Sequence, residues 1–111
     1  MMGEARHVDW ECQRDLPQGA LNAHTFFVSQ MLPIVREAIE DAACLSLTVA
    51  LPPAGSDHDG WRKSLAGDLA RTYAPKRVNI AGGEPGAALD RVLDYLKDAP
   101  GVTGHYVQAH D

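Results

Sequence analysis

At 111 residues the chain is long enough for one hydrophobic core and too short for two, so residues 1–111 are expected to form a single domain. Hydrophobic residues make up 45% and charged residues 23%, the balance of an ordinary globular protein. The formal charge of −5 and the lack of any basic run argue against nucleic acid or an anionic membrane as partner, since either needs clustered Lys and Arg. The best apolar stretch is broken by Pro33 and charged at Arg36 and Glu37, so no membrane span is expected. The first residues, MMGEARHVDWE, carry acids and no apolar h-region, which speaks against a secretory signal. Cys12 and Cys44 have neither metal spacing nor a disulfide framework; reduced thiols and a cytoplasmic location are the expectation.

Residues 5–12 alternate, with Val8, Trp10 and Cys12 on one face and His7, Asp9 and Glu11 on the other, which predicts a half-exposed strand at a sheet edge. A turn follows at Asp15-Leu-Pro-Gln-Gly19. From Ala20 to Ala43 the spacing is helical. Phe27, Met31, Ile34/Val35, Ala38 and Ala42 form one stripe, with Val28, Leu32 and Ile39 beside it. Pro33 is expected to kink this helix, because it lacks a backbone donor and crowds the preceding turn. So wide an apolar face fits either a central core helix or one that also packs on a second subunit.

The run ACLSLTVAL, residues 43–51, is apolar on both faces and ends at Pro52-Pro53, the pattern of a parallel strand flanked by helices. The loop PPAGSDHDG offers Ser56, Asp57 or Asp59 as a helix N-cap. A helix over Asp59–Tyr73 then carries Trp61, Leu65, Leu69 and Tyr73 on one stripe, with Pro75 as terminator. Arg77–Ala81 reads as a buried strand running into a glycine-rich turn. A helix from Pro85 to about Lys97 turns Leu89, Val92, Leu93 and Leu96 inward, and Val102–Ala109 closes the chain as a strand. The order β-α-β-α-β-α-β predicts a three-layer α/β/α, Rossmann-like parallel sheet of about four strands, helices on both faces, connected by right-handed crossovers.

Chemistry is harder to find. Neither G-x-x-x-x-G-K-[ST] nor G-x-G-x-x-G occurs. Ala81-Gly82-Gly83-Glu84-Pro85-Gly86 lies between strand and helix, where amides hold anions in other proteins. Here Glu84 adds a negative charge and Pro85 removes a donor, so the glycines read as a tight bend with Pro85 at the first helical position. His7, His24, His58, His105 and His110 include no pair at the helical i, i+4 metal spacing, and Asp57-His58-Asp59 reads as a solvated loop with a cap. Ser46 lies inside a buried strand and no serine occupies a G-x-S-x-G elbow. The surroundings of Cys12 and Cys44 offer no positive charge to activate a thiol, and Cys44 reads as a small buried hydrophobe. No metal ligands are predicted.

The segments DLARTYAPKRVNIAGGEPG and VLDYLKDAPGVTGHYVQAHD resemble the C-terminal half of short-chain dehydrogenases/reductases of the 3-oxoacyl-reductase kind. The resemblance rests on Leu69-Ala70, Ala74-Pro75, Arg77-Val78-Asn79, Pro85-Gly86, Tyr95-Leu96 and Val102-Thr103-Gly104. Upstream, Leu21-Asn22, Phe26/Phe27, Ser29-Gln30 and Leu32-Pro33 resemble the family's central helix; about residues 20–110 are covered. The family's dinucleotide-binding half and its Tyr-x-x-x-Lys have no counterpart: four residues after Tyr73, Tyr95 and Tyr106 stand Arg77, Ala99 and His110. Where the catalytic serine would fall, the chain has Leu51-Pro52-Pro53. Asn22 alone matches a family active-site position. Hydride transfer needs a bound cofactor and a tuned acid, so the resemblance implies no catalytic residues and no NAD(P) site.

Two functions follow as expectations. The first is a non-catalytic reductase-like domain, akin to the truncated pseudo-ketoreductase subdomains of large synthases. It acts by self-association through the helices at about 21–43 and 59–73, the pair the family uses for a four-helix dimer contact, or as partner of a full-length reductase. The second is a small enzyme or ligand-binding protein, NAD(P)-dependent oxidoreductase-like, using the crevice at the carboxyl ends of the strands. Cys12/Gln13, Pro52–Gly55 and Gly82–Glu84 would line that crevice.

Overall fold

The computed structural model describes residues 6–12 and 14–110. Its strands are β1 (Arg6–Glu11), β2 (Cys44–Leu51), β3 (Arg77–Gly82) and β4 (Tyr106–Gln108), all parallel and in the order β1-β2-β3-β4. Helices α1 (Ala20–Phe26) and α2 (Leu32–Glu40), joined by a π segment over Phe27–Met31, connect β1 to β2. Helix α3 (Asp59–Tyr73) connects β2 to β3, and α4 (Ala87–Asp98) connects β3 to β4. The four-stranded α/β sheet of Rossmann-like form is therefore as its sequence pattern predicts.

Strand alternation divides the core in two. On one face Leu47, Val49 and Leu51 of β2 and Val78 and Ile80 of β3 meet the helices α1–α2 and α3, with Val8, Trp10 and Cys12 of β1 against the same cluster. On the other face Ala50 and Ala81 meet Leu89, Leu93 and Leu96 of α4. β1 lies at the sheet edge, as its alternation predicts. Leu45 is the extra residue of a register shift between the Arg6–Cys44 and His7–Ser46 pairs, which turns its side chain to solvent within an otherwise buried run.

The crossovers do not all share a hand. The first two step in one direction across the sheet and place their helices on the Leu47 face. The third steps the same way, yet α4 covers the Ala50 face, so its hand is opposite. The expectation of right-handed crossovers throughout fails here for a geometric reason. Three such steps in the order 1-2-3-4 would stack every helix on one face and leave Ala50 and Ala81 bare.

The long helix also differs from expectation. Its buried residues are Ala23, Phe27, Met31, Val35 and Ile39, four apart each time. In an α-helix each step of four overshoots a full turn by about 40°, so this row would drift by about 160° around the axis. The π segment, in which the Leu32 N–H donates to Phe27 O five residues back, inserts the extra residue that brings the row back to one face. It ends where Pro33 enters the first turn of α2, so the predicted kink takes the form of a π bulge. Ile34 and Val28 are consequently exposed. Ala42 falls beyond the end of α2 and outside the stripe predicted for it.

Smaller corrections concern ends. Helix α3 enters from a 3₁₀ turn at Ser56–His58, and neither Ser56, Asp57 nor Asp59 forms the expected side-chain cap. Pro85 precedes the N-cap Gly86 of α4 rather than occupying its first helical position. The last strand contracts to Tyr106–Gln108 because side chains replace backbone partners upstream: Val78 N–H donates to Thr103 Oγ1 and His105 N–H to Asn79 Oδ1.

Candidate functional site

β1, β2 and β3 end level with one another, and the loops that follow them enclose a cleft of about 650 Å³ at the carboxyl edge of the sheet. Its walls include Asp15, Leu16, Pro52, Pro53 and Glu84, and Arg62 reaches it from the first turn of α3. The crevice expected from sequence is divided by the structure. Pro52, Pro53, Ala54 and Glu84 line the large cleft. Cys12 lines a smaller cavity of about 140 Å³ beside α4, and Gly82 one of about 170 Å³ beside β4. Gly83 borders both small cavities, and Gln13 lies outside the described residues.

Sequence reasoning passed over Arg62, which is only 1% exposed. Its guanidinium lies 5.3 Å from the ring centre of Trp61 and 5.6 Å from that of Tyr106. Its Nη1 donates to Pro52 O at 3.0 Å and to Tyr106 Oη at 3.2 Å. Among the described residues Nε has no partner. The pairing of Arg62 with Ala66 on a second buried row of α3, one turn apart, was the available signal. This arrangement also explains the glycine-rich turn: a Cβ on Gly82 would lie 2.8 Å from Tyr106 Oη and 2.9 Å from Arg62 Nη1, and one on Gly83 would lie 2.9 Å from Ala109 Cβ. The sequence reading assigns these glycines to a tight bend; at Gly82, which has no positive φ, the close neighbours are the requirement. Where α4 begins, Glu11 and Asp90 line the small cavity and oppose an anion there.

The motif Arg77-Val78-Asn79 has a structural task at every position. Arg77 donates from Nη1 to Leu96 O and Ala99 O and from Nη2 to Lys97 O, satisfying the last carbonyls of α4. Val78 is core. Asn79 donates from Nδ2 to Val102 O and accepts from His105 N–H, which fixes the return to β4. A family model for short chain dehydrogenase-like proteins matches residues 13–109. The chain belongs to the short-chain dehydrogenase-like family. No curated protein and no solved structure matches it significantly.

In this short-chain dehydrogenase-like chain the three tyrosines are dispersed. Tyr73 ends α3 far from the cleft, Tyr95 is exposed on α4, and Tyr106 holds Arg62. Asn22 is exposed in the first turn of α1 and donates to Gln18 O at 3.2 Å. The histidines are equally scattered. His24 stacks on Trp61 at 5.1 Å, and His58 accepts from Trp61 Nε1 at 3.1 Å. His105 lies in the β4 approach, and His110 lines the cavity beside β4. No group of three or more His, Cys, Asp or Glu positioned to hold a metal occurs among the described residues.

The structure also brings together a hydrogen-bonded array at the β1–β2 pair that the sequence does not signal. His7 Nδ1 lies 2.7 Å from Ser46 Oγ and His7 Nε2 lies 2.8 Å from Asp9 Oδ1. A carboxylate only accepts, so in the neutral ring Nε2 carries the proton and Ser46 donates to Nδ1. Serine, histidine and aspartate in series resemble a nucleophile relay, but Ser46 is buried and stands five residues before the end of β2. At about 3.3 Å per residue that is roughly 16 Å from the cleft edge. The array pins β1 to β2.

Cys44 is buried, as predicted, and burial pushes its thiol above the ordinary range, with Asp41 adding to the shift against Lys76 and Arg6. The unfolded thiol loses its proton near pH 8.5 while the folded one keeps it to higher pH. This contribution to stability is thus complete below about pH 8.5 and is lost as pH rises through the folded value. Tyr73, raised by burial and by its hydrogen bond to Glu40, adds the same trend above about pH 10. The melting temperature is expected to fall from pH 8 to 10, and to fall less steeply in Cys44→Ala. Parallel curves for the two proteins would show that the thiol plays no part.

Proposed function

We propose that this short-chain dehydrogenase-like chain is a non-catalytic domain that works by association, pairing with a second copy through the outer face of α1–α2 and α3. The observation that carries the reading is a groove of about 310 Å³ between these helices. Val28, 41% exposed, and Leu32 stand on one side, with Leu65 and Leu69 on the other. Arg36 and Asp68 border it with opposite charges, the composition a two-fold contact needs to be complementary to itself. The chain's departures from the family support the non-catalytic part: no Tyr-x-x-x-Lys occurs in these 111 residues, and Leu51-Pro52-Pro53 stands where the catalytic serine would fall.

Light scattering of the purified chain is expected to give a dimer. Val28→Glu places a charge in the contact and is expected to give a monomer, with a stability change within about 0.5 kcal/mol because the site is on the surface. A wild-type monomer at high concentration counts against the reading. If that monomer nevertheless binds a full-length reductase through the same face, the heteromeric form replaces the homodimer.

The cleft supports a second reading, a ligand-binding protein, because ligands of open parallel sheets sit beyond the carboxyl ends of the strands. Titration with NADPH, followed by its fluorescence, tests it: saturable binding at micromolar concentration would favour this reading over association alone.

A further inference from the structure

We infer that the cleft is a binding site for a small organic monocarboxylate, with Arg62 as the group that holds the carboxylate. Arginine is a charged side chain, so burying Arg62 takes a full charge away from water. Among the described residues no Asp or Glu oxygen lies within 4.0 Å of it; the ion pairs there are His7–Asp9, Arg36–Glu40, His58–Asp57 and Arg71–Asp68. Structural duties account for part of the side chain. Trp61 and Tyr106 flank the guanidinium, and Nη1 serves Pro52 O and Tyr106 Oη. The hydrogen bonds the guanidinium makes among the described residues all leave from Nη1, and Nε is buried without a partner. Nη2 makes no hydrogen bond among the described residues and is the nitrogen left to donate to a carboxylate oxygen from the cleft.

The walls choose among anions. Asp15 and Glu84 share the cleft with Arg62, so a dianionic phosphate meets two like charges where a monoanion meets less repulsion. Leu16, Pro52 and Pro53 give the cleft an apolar lining suited to the body of an organic acid. This inference shares the cleft with the nucleotide reading but not its ligand, and the NADPH and benzoate titrations fail separately. It also stands apart from self-association, since the cleft and the helical groove have no lining residue in common.

The test uses the whole chain labelled with ¹⁵N and three probes: benzoate, its neutral analogue benzamide, and inorganic phosphate. Benzoate is expected to shift the amide signals of Ala54, His58 and Arg62 saturably. Benzamide should cause no saturable shift, and phosphate should bind at least about tenfold more weakly. Arg62→Gln, which removes the charge, is expected to weaken benzoate by about tenfold or more, the factor that one lost charge-assisted hydrogen bond represents. Glu84→Gln removes a repelling charge and is expected to tighten it. Absence of saturable shifts with benzoate, equal shifts with benzamide, or phosphate binding as tight as benzoate would overturn the inference. If Arg62→Gln does not fold, the wild-type comparison of benzoate with benzamide still decides.

Discussion

Phe27→Ala is expected to lower stability by about 3–5 kcal/mol, the range for removing a fully buried aromatic ring. Phe27 is 0% exposed and sits at the start of the π segment, 6.0 Å from the Trp61 ring on α3. It joins the long helix to α3 and both to the Leu47 face of the sheet. Truncation removes the transfer energy of the ring and leaves a cavity that the π turn, held by its own hydrogen bonds, is poorly able to close. With about 4 °C lost per kcal/mol for a domain of this size, the melting temperature should fall by about 12–20 °C. Thermal unfolding followed by circular dichroism measures this directly. A loss below about 1 kcal/mol would mean that the helices pack without this anchor. Leu32→Ala, one turn further along and half-buried, provides a control with a smaller effect.

Asn79→Ala is expected to cost about 2–4 kcal/mol, by a different mechanism. Asn79 is 1% exposed, and both ends of its amide are used, on Val102 O and on His105 N–H. Alanine deletes both bonds: the His105 amide is left unsatisfied, at about 1–3 kcal/mol, and Val102 O keeps only the long bond of 3.4 Å from Arg77 Nη1. Leucine fills the volume but restores neither bond, so Asn79→Leu should be no better than alanine. The damage is expected to be local first. Hydrogen exchange at Tyr106, Val107 and Gln108 should accelerate more than at Val49, because β4 is a three-residue strand whose entry at His105 is fixed by this clamp. Uniform acceleration across the sheet would assign Asn79 a global role instead. Since Tyr106 holds Arg62, loosening β4 also removes one support of the cleft.

Much of this could be read in the residues. The continuous apolar run at 43–51 and the alternation at 5–12 identify a parallel interior strand and an edge strand, and the structure places β2 and β1 in those positions. The ordered motifs from Leu69 to Gly104 point to the short-chain dehydrogenase-like family, and the family match over residues 13–109 agrees. Gly82 reads from the sequence as part of a bend, but what requires it is the approach of Tyr106 and Arg62, 24 and 20 residues away, and Ala109, 26 residues from Gly83, crowds that position likewise.

What the sequence determined by itself was periodic and local: which segments are strands, which are helices, and, outside the long helix with its π segment, which side faces inward. Burial of a regular element imprints its repeat on the chain, and that repeat survives without knowledge of the partner. Tertiary structure alone decided the rest. The π segment arises because a row spaced every four residues must stay on one face, a demand set by the sheet beneath it. The hand of the last crossover depends on which face α4 covers, and an amphipathic helix has the same pattern on either face. Arg62 is polar by composition and buried by position, because the rings of Trp61 and Tyr106 and the carbonyl of Pro52 come from three separate elements. The same holds for Ser46, His7 and Asp9, which only the register of β1 on β2 brings together.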